Sequence, residues 1–130
     1  MTKRSPEGIY QKAVLNNGIR IVTEKIPYLR SVSIGIWINT GSRDEDTTHS
    51  GISHFLEHLA FKGTEKRSAR QIAFEMDSIG GQIDAFTSRE YTCYSAKVLD
   101  EHLPIAIDLL SDILLHSTYK LADIEKEKEV

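Results

Sequence analysis

The order of hydrophobic periodicities predicts an α+β fold, with helices packed on one face of a largely antiparallel sheet. Three observations carry that prediction. Val32, Ile34, Ile36 and Ile38 alternate with Ser33, Gly35, Trp37 and Asn39, which makes one face strongly apolar, the period of a half-buried strand. Apolar residues recur at i, i+3, i+4 and i+7 in 52–59 and again within 103–114, the stripe of an amphipathic helix. Asn17-Gly18 lies between two short β-rich runs, a strong local hairpin signal.

In chain order, residues 12–25 form two strands around Asn17 and Gly18, both of which tolerate the positive φ of a tight turn. Pro27 interrupts the pattern. A strand follows over 31–42, with Val32, Ile34, Ile36 and Ile38 on one face. GSRDEDTTHSG, 41–51, is polar and glycine-bounded and therefore a loop, with Thr48 or Ser50 placed to cap the next helix. That helix turns Ile52, Phe55, Leu56 and Leu59 inward and ends at Gly63. A second helix, 68–79, buries Ala69, Ile72, Ala73 and Met76 and stops at Gly80-Gly81. QIDAFT (82–87) and EYTCYSAKVL (90–99) are strands joined near Ser88-Arg89; the residues alone do not decide whether the first is an edge or a central strand. The next helix carries Leu103, Ala106, Ile107, Leu110, Ile113 and Leu114 at helical spacing. DIEKEKEV opens a last helix, with Asp123 as its cap, and meets no glycine, asparagine or proline to close it. The expectation is a domain incomplete at its C-terminus.

The 130 residues suit one domain, and 40% hydrophobic with 27% charged residues is ordinary globular composition. A net charge of -3 argues against a nucleic-acid partner, which needs a basic face. The charged ends, TKR and KEKE, are expected to be solvated surface. Cys93 is the only cysteine, so no intramolecular disulfide forms, and a reducing compartment fits. Nothing resembles an 18-residue apolar span or a secretory signal, so no membrane partner is expected and the cytoplasm is the default location.

HFLEH, 54–58, carries the chemistry. His54 and His58 lie one helical turn apart on one side, and Glu57 shares that face opposite the apolar stripe. Two imidazoles so placed can reach one zinc ion, and the carboxylate beside them can serve as a general base toward water. The same residues also suit the solvated side of any amphipathic helix. A catalytic zinc site takes three protein ligands. His49, His102, His116 and the glutamates of the last helix are available, and none is marked out by its context.

HFLEH followed by LAFKGT resembles the inverzincins, the zinc metallopeptidase family of pitrilysin and insulin-degrading enzyme. It is most similar to the β subunit of mitochondrial processing peptidase and its bacterial relatives. GSRDE, Arg67-Ser68, GGQIDAFTSREYTCY and IEKEKEV stand in that family's order, so the resemblance covers nearly the whole chain. It implies a zinc-dependent metalloendopeptidase acting on peptides bound in extended form. His54 and His58 would be zinc ligands and Glu57 the general base. Glu127 would be a supporting glutamate that tunes the site. The third ligand would be a glutamate about 76 residues after His58, roughly four past Val130. Phe61 would help line the pocket beyond the scissile bond. Asp84, Ala85 and Phe86 would lie on an edge strand that pairs with the substrate backbone. Relatives commonly have Asn at the position of Asp84, and a carboxylate lacks the amide's N–H donors. The 130 residues alone are expected to bind zinc weakly and to show little proteolysis.

Such proteins are longer, with further α+β domains, and the resemblance implies a homodimer, a heterodimer with a related subunit, or a fused single chain. The rival reading is a non-catalytic peptide-binding or assembly module that uses the same edge strand. Glu57 separates the two, because a scaffold gains nothing from a carboxylate beside two histidines.

Overall fold

The structure is a computed structural model that describes residues 4–5 and 8–130. It divides into two units, Met1–Arg30 and Ser31–Val130, each with its own three-stranded antiparallel sheet. Thr2 and Lys3 of the basic N-terminal run lie outside the described residues.

In the first unit, strands β1 (Arg4–Ser5), β2 (Gly8–Val14) and β3 (Arg20–Lys25) stand in that order. The hairpin read from Asn17-Gly18 is present, with Val14 paired to Arg20 and Ile9 to Lys25. Only Gly18 takes positive φ, at 88°. Asn17 contributes its side chain instead, Oδ1 accepting from the Ile19 N–H at 3.1 Å.

The second unit contains strands β4 (Ser31–Ile38), β5 (Gln82–Thr87) and β6 (Thr92–Leu99) in the order β4-β6-β5, so β5 is an edge strand. Helices α1 (Ile52–Ala60), α2 (Ala69–Ser78), α3 (Leu103–His116) and α4 (Leu121–Lys128) complete it. Tyr94, Ala96 and Val98 of β6 pack with Ile72 and Met76 of α2 and with Ala106, Leu109, Leu110 and Ile113 of α3. Ile34, Ile36, Ile83 and Ala85 flank that cluster from the neighbouring strands. Side chains as fully covered as Leu109, Leu110 and Ile113 each contribute about 1.5–3 kcal/mol through apolar burial. This is the α+β arrangement expected, with Ser68 and Gln71 forming a capping box where α2 begins.

Several details differ from expectation. Helix α3 is apolar nearly all round, and the sheet takes the stripe Ala106, Leu109, Leu110, Ile113, which leaves Ile107 exposed. In α2, Ile72 and Met76 are buried while Ala69 and Ala73 face outward, because the helix meets the core along a narrow line. Asp123 does not cap α4. Lys120 occupies that position after Tyr119 at φ 45°, and Asp123 sits inside the first turn, its N–H donating to the Lys120 carbonyl at 3.0 Å. In α1 only Leu59 of the expected stripe is fully buried, and Ile52 and Leu56 are exposed. The helix is held through its polar side by β5 and α4.

Asp112 of α3 is buried among the leucines with a side chain 1% exposed. Its Oδ2 accepts from the Thr64 hydroxyl at 2.7 Å and from Arg67 at 2.8 Å, and Arg67 also reaches Glu75 and Asp108. This network, with bridges Gly63 to Ser68 and Thr64 to Ser117, ties the chain leaving α1 to α3.

Candidate metal centre

Neither Thr48 nor Ser50 caps α1. The N-cap is Gly51, at φ 86°, and the cap comes from Glu45. Its carboxylate accepts from the Gly51 N–H at 2.6 Å and the Ser53 N–H at 2.9 Å, using donors that a helix start leaves unpaired. Glu45 is held in turn by a loop laid against the β5–β6 turn. Ser42 N–H donates to the Ser88 carbonyl at 3.0 Å and Arg43 N–H to that of Arg89 at 2.8 Å. Gly41 permits this approach, since a Cβ there would lie 2.4 Å from the Ser88 oxygen. Hydrogen bonds from the Ser53 and Gly51 backbone hold the Glu45 carboxyl below the usual carboxylate range. The cap is therefore fully present above that range and lost as pH falls through the depressed value. Glu45→Gln is expected to speed amide exchange at Gly51 and Ser53 at neutral pH. Unchanged exchange at both would show that the carboxylate does not cap the helix.

On that helix His54 Nε2 and His58 Nε2 stand 2.9 Å apart, and ligand atoms of His54, Glu57 and His58 all lie within 4.8 Å of one another. Among the described residues this is the only such cluster of metal-ligating side chains. Glu57 is half-buried, and Oε2 accepts from the Thr87 hydroxyl at the end of β5 at 2.5 Å. His58 Nδ1 lies 2.6 Å from Oε1 of Glu127, whose other oxygen pairs with Lys62 at 3.3 Å. The His58 contact, with help from Lys62, holds the Glu127 carboxyl below its usual range. A carboxylate on Nδ1 fixes the tautomer in which Nε2 keeps its lone pair for a metal.

The donor set fits zinc. Bonds of about 2.0–2.1 Å at tetrahedral angles put two nitrogens about 3.3–3.4 Å apart, a few tenths of an ångström wider than here and within side-chain adjustment. Two imidazoles convergent on one point, one of them backed by a carboxylate, form the N-rich half of such a site.

The other predicted residues sit as follows. Asp84, Ala85 and Phe86 lie on β5 at the sheet's edge. Phe61 is half-buried at the C-cap of α1, its ring 6.1 Å from that of Tyr94 and packed on the core. His49 bonds Asp46, His102 pairs with Glu101, and His116 stands 3.4 Å from Asp112; none joins the cluster. Glu125 pairs with Lys128. Sequence reasoning missed Glu45, Lys62 and Thr87. Lys62 is four residues after His58, the spacing that shares a helix face, and was the one with a readable signal.

The fold and cluster agree with comparisons to known proteins. Residues 20–130 match the family model described as Insulinase (Peptidase family M16). The chain belongs to that peptidase family. It is 60% identical over 114 residues to the zinc protease YmxG of Bacillus subtilis, covering 88% of this chain and 28% of that one. It is 49% identical over 116 residues to the mitochondrial-processing peptidase subunit beta of Saccharomyces cerevisiae, covering 89% and 25%. A protease from Helicobacter pylori of known crystal structure superposes with a TM-score of 0.88 at 26% identity, over 95% of this chain and 30% of that one. The chain thus spans under a third of the length of these relatives. Among the described residues, no helix is long and apolar enough to cross a membrane.

Proposed function

We propose that the chain carries the metal-binding half of a zinc metalloendopeptidase that hydrolyses peptide bonds in extended peptides. The observation that carries the reading is the convergence of His54 Nε2 and His58 Nε2 beside Glu57, with Glu127 bonded to the far nitrogen of His58. His54 and His58 would hold the Zn²⁺, which when bound acts as a Lewis acid and makes water more acidic. Glu57 accepts a proton from the attacking water and returns it to the departing amine. Thr87 orients the Glu57 carboxylate from the end of β5. Glu127 keeps His58 in its ligating tautomer and aligned. The backbone of β5 at Asp84, Ala85 and Phe86 offers an open edge to an extended substrate, and Phe61 at the end of α1 would help line the pocket beyond the scissile bond.

The name of the yeast relative, a subunit, supports assembly as a dimer with a second or related chain. The buried, unpaired Cys93 suits a reducing, cytoplasmic setting.

Zinc titration of the chain against a competing chelator tests the metal reading. Binding should be one-to-one, absent in His54→Ala, and about 10–100-fold weaker in Glu127→Gln. Equal affinity in wild type and His54→Ala would reduce HFLEH to a helix face and favour the non-catalytic module.

A further inference from the structure

We infer that Asp84 makes the β5 edge selective for peptides that carry a basic residue two positions after an apolar one. The inference rests on reading β5 as the substrate edge, and it specifies which peptides that edge accepts.

Hydrogen-bonding alternation sets the geometry. Ser88 N–H donates to the Tyr91 carbonyl at 2.8 Å, which makes that opposed pair a bonded one. Counting back along the register, Phe86 with Cys93 and Asp84 with Ser95 are bonded pairs, and Ala85 with Tyr94 is not. The Ala85 amide therefore faces the open edge. It is already occupied: Asp84 Oδ1 accepts from the Ala85 N–H at 2.8 Å. The side chain blunts its own edge strand, as charged residues on exposed edges do. A peptide pairing with β5 must take that N–H with its carbonyl and displace the carboxylate.

The displaced carboxylate then meets the peptide's own side chains. Residues opposite Asp84 and Phe86 would form non-bonded pairs on the new ladder, the type in which side chains approach more closely. Asp84 is exposed, and Ser95 beside it on β6 is small, so the carboxylate stays accessible. Lys97, the basic residue of this sheet face, stands one row away, opposite Gln82. A Lys or Arg opposite Asp84 would pair with the freed carboxylate, and a Glu would be repelled.

Two residues along the same face lies an aromatic patch. Phe86 is 5.8 Å from Trp37 and 6.1 Å from Tyr91, ring centre to ring centre, and Trp37 and Tyr91 are 5.0 Å apart. All three are exposed, Trp37 to 61%, while Cys93 beneath them is covered. An apolar peptide side chain opposite Phe86 would seat there. Every pairing in this sheet is antiparallel, so a peptide continuing it runs against β5 and reaches Phe86 before Asp84. The pattern is apolar-x-basic.

Trp37 is the only tryptophan, so its fluorescence reports occupancy of this patch without metal or turnover. The metal-free chain would be titrated with otherwise identical peptides bearing Phe-x-Arg, Arg-x-Phe and Phe-x-Glu. Phe-x-Arg should bind about fivefold more tightly than Phe-x-Glu, the scale of an exposed charge pair, and more tightly than Arg-x-Phe. Asp84→Asn should remove the preference for Arg over Glu. Binding with equal affinity for Arg and Glu, or an unchanged preference in Asp84→Asn, overturns the inference and leaves β5 as a substrate edge. If no peptide alters the fluorescence, the inference and the edge reading fall together, while the zinc titration still judges the metal centre independently.

Discussion

Glu57→Gln, carried in a chain of the relatives' full length, is expected to lower peptide hydrolysis about 10²–10⁴-fold and leave zinc content unchanged. The middle of that range is about 4 kcal/mol of activation free energy. Glutamine is the informative replacement because its amide oxygen can still accept from Thr87, so the link between α1 and β5 survives and only the basic oxygen is lost. His54 and His58 keep their convergent nitrogens, and the contact of His58 with Glu127 does not involve position 57. The loss should therefore fall on kcat, with KM nearly unmoved, since the role proposed for Glu57 is to handle a proton rather than to hold the peptide. Metal analysis beside steady-state kinetics reads both quantities. A zinc-loaded Glu57→Gln protein that still turns over peptide would move proton transfer to another residue.

The half of the centre within α1 was legible because a helix fixes its own geometry. His54, Glu57 and His58 lie within five residues, and 100° per residue alone puts them on one face. What contacts the cluster from outside α1 comes from far along the chain. Glu127 is 69 residues from His58 and Thr87 is 30 from Glu57, and no local periodicity relates such positions. Glu127 was reached only through family resemblance. The cap of α1 was misassigned for the same reason: Thr48 and Ser50 are adjacent in sequence, whereas Glu45 reaches Gly51 and Ser53 because its loop is laid on the β5–β6 turn. Strand β5 was recognisable by composition, but its edge position depends on β6 pairing with both neighbours. In α3 the pattern gave the helix, and the sheet chose which apolar stripe to cover.

Asp112 was hidden most completely, and its environment yields the largest expected stability effect. Burial acts to raise its pKa, yet the Thr64 hydroxyl and the Arg67 guanidinium outweigh that and hold it below the usual range. Its Oδ1 makes no hydrogen bond and has only His116 Nδ1 nearby, at 3.4 Å, so the carboxylate depends chiefly on what reaches Oδ2. Arg67→Met removes the cation and leaves the charge covered. The expected cost is about 3–5 kcal/mol, read from urea unfolding at neutral pH. The pH dependence should also weaken at this residue. In the wild type its folded pKa is depressed, so its contribution is full above the unfolded carboxylate range and lost as pH falls through the folded value. Without Arg67 its hydrogen bond and its charge are lost while the Thr64 hydroxyl remains, so the folded pKa moves up and less stability is lost at this residue as pH falls. Arg67→Met combined with Asp112→Leu should recover most of the lost stability, because replacing a buried ion pair with apolar side chains is often close to neutral. Equal destabilisation in the single and double variants would instead assign the effect to the Arg67 contacts with Glu75 and Asp108, which the double variant does not restore.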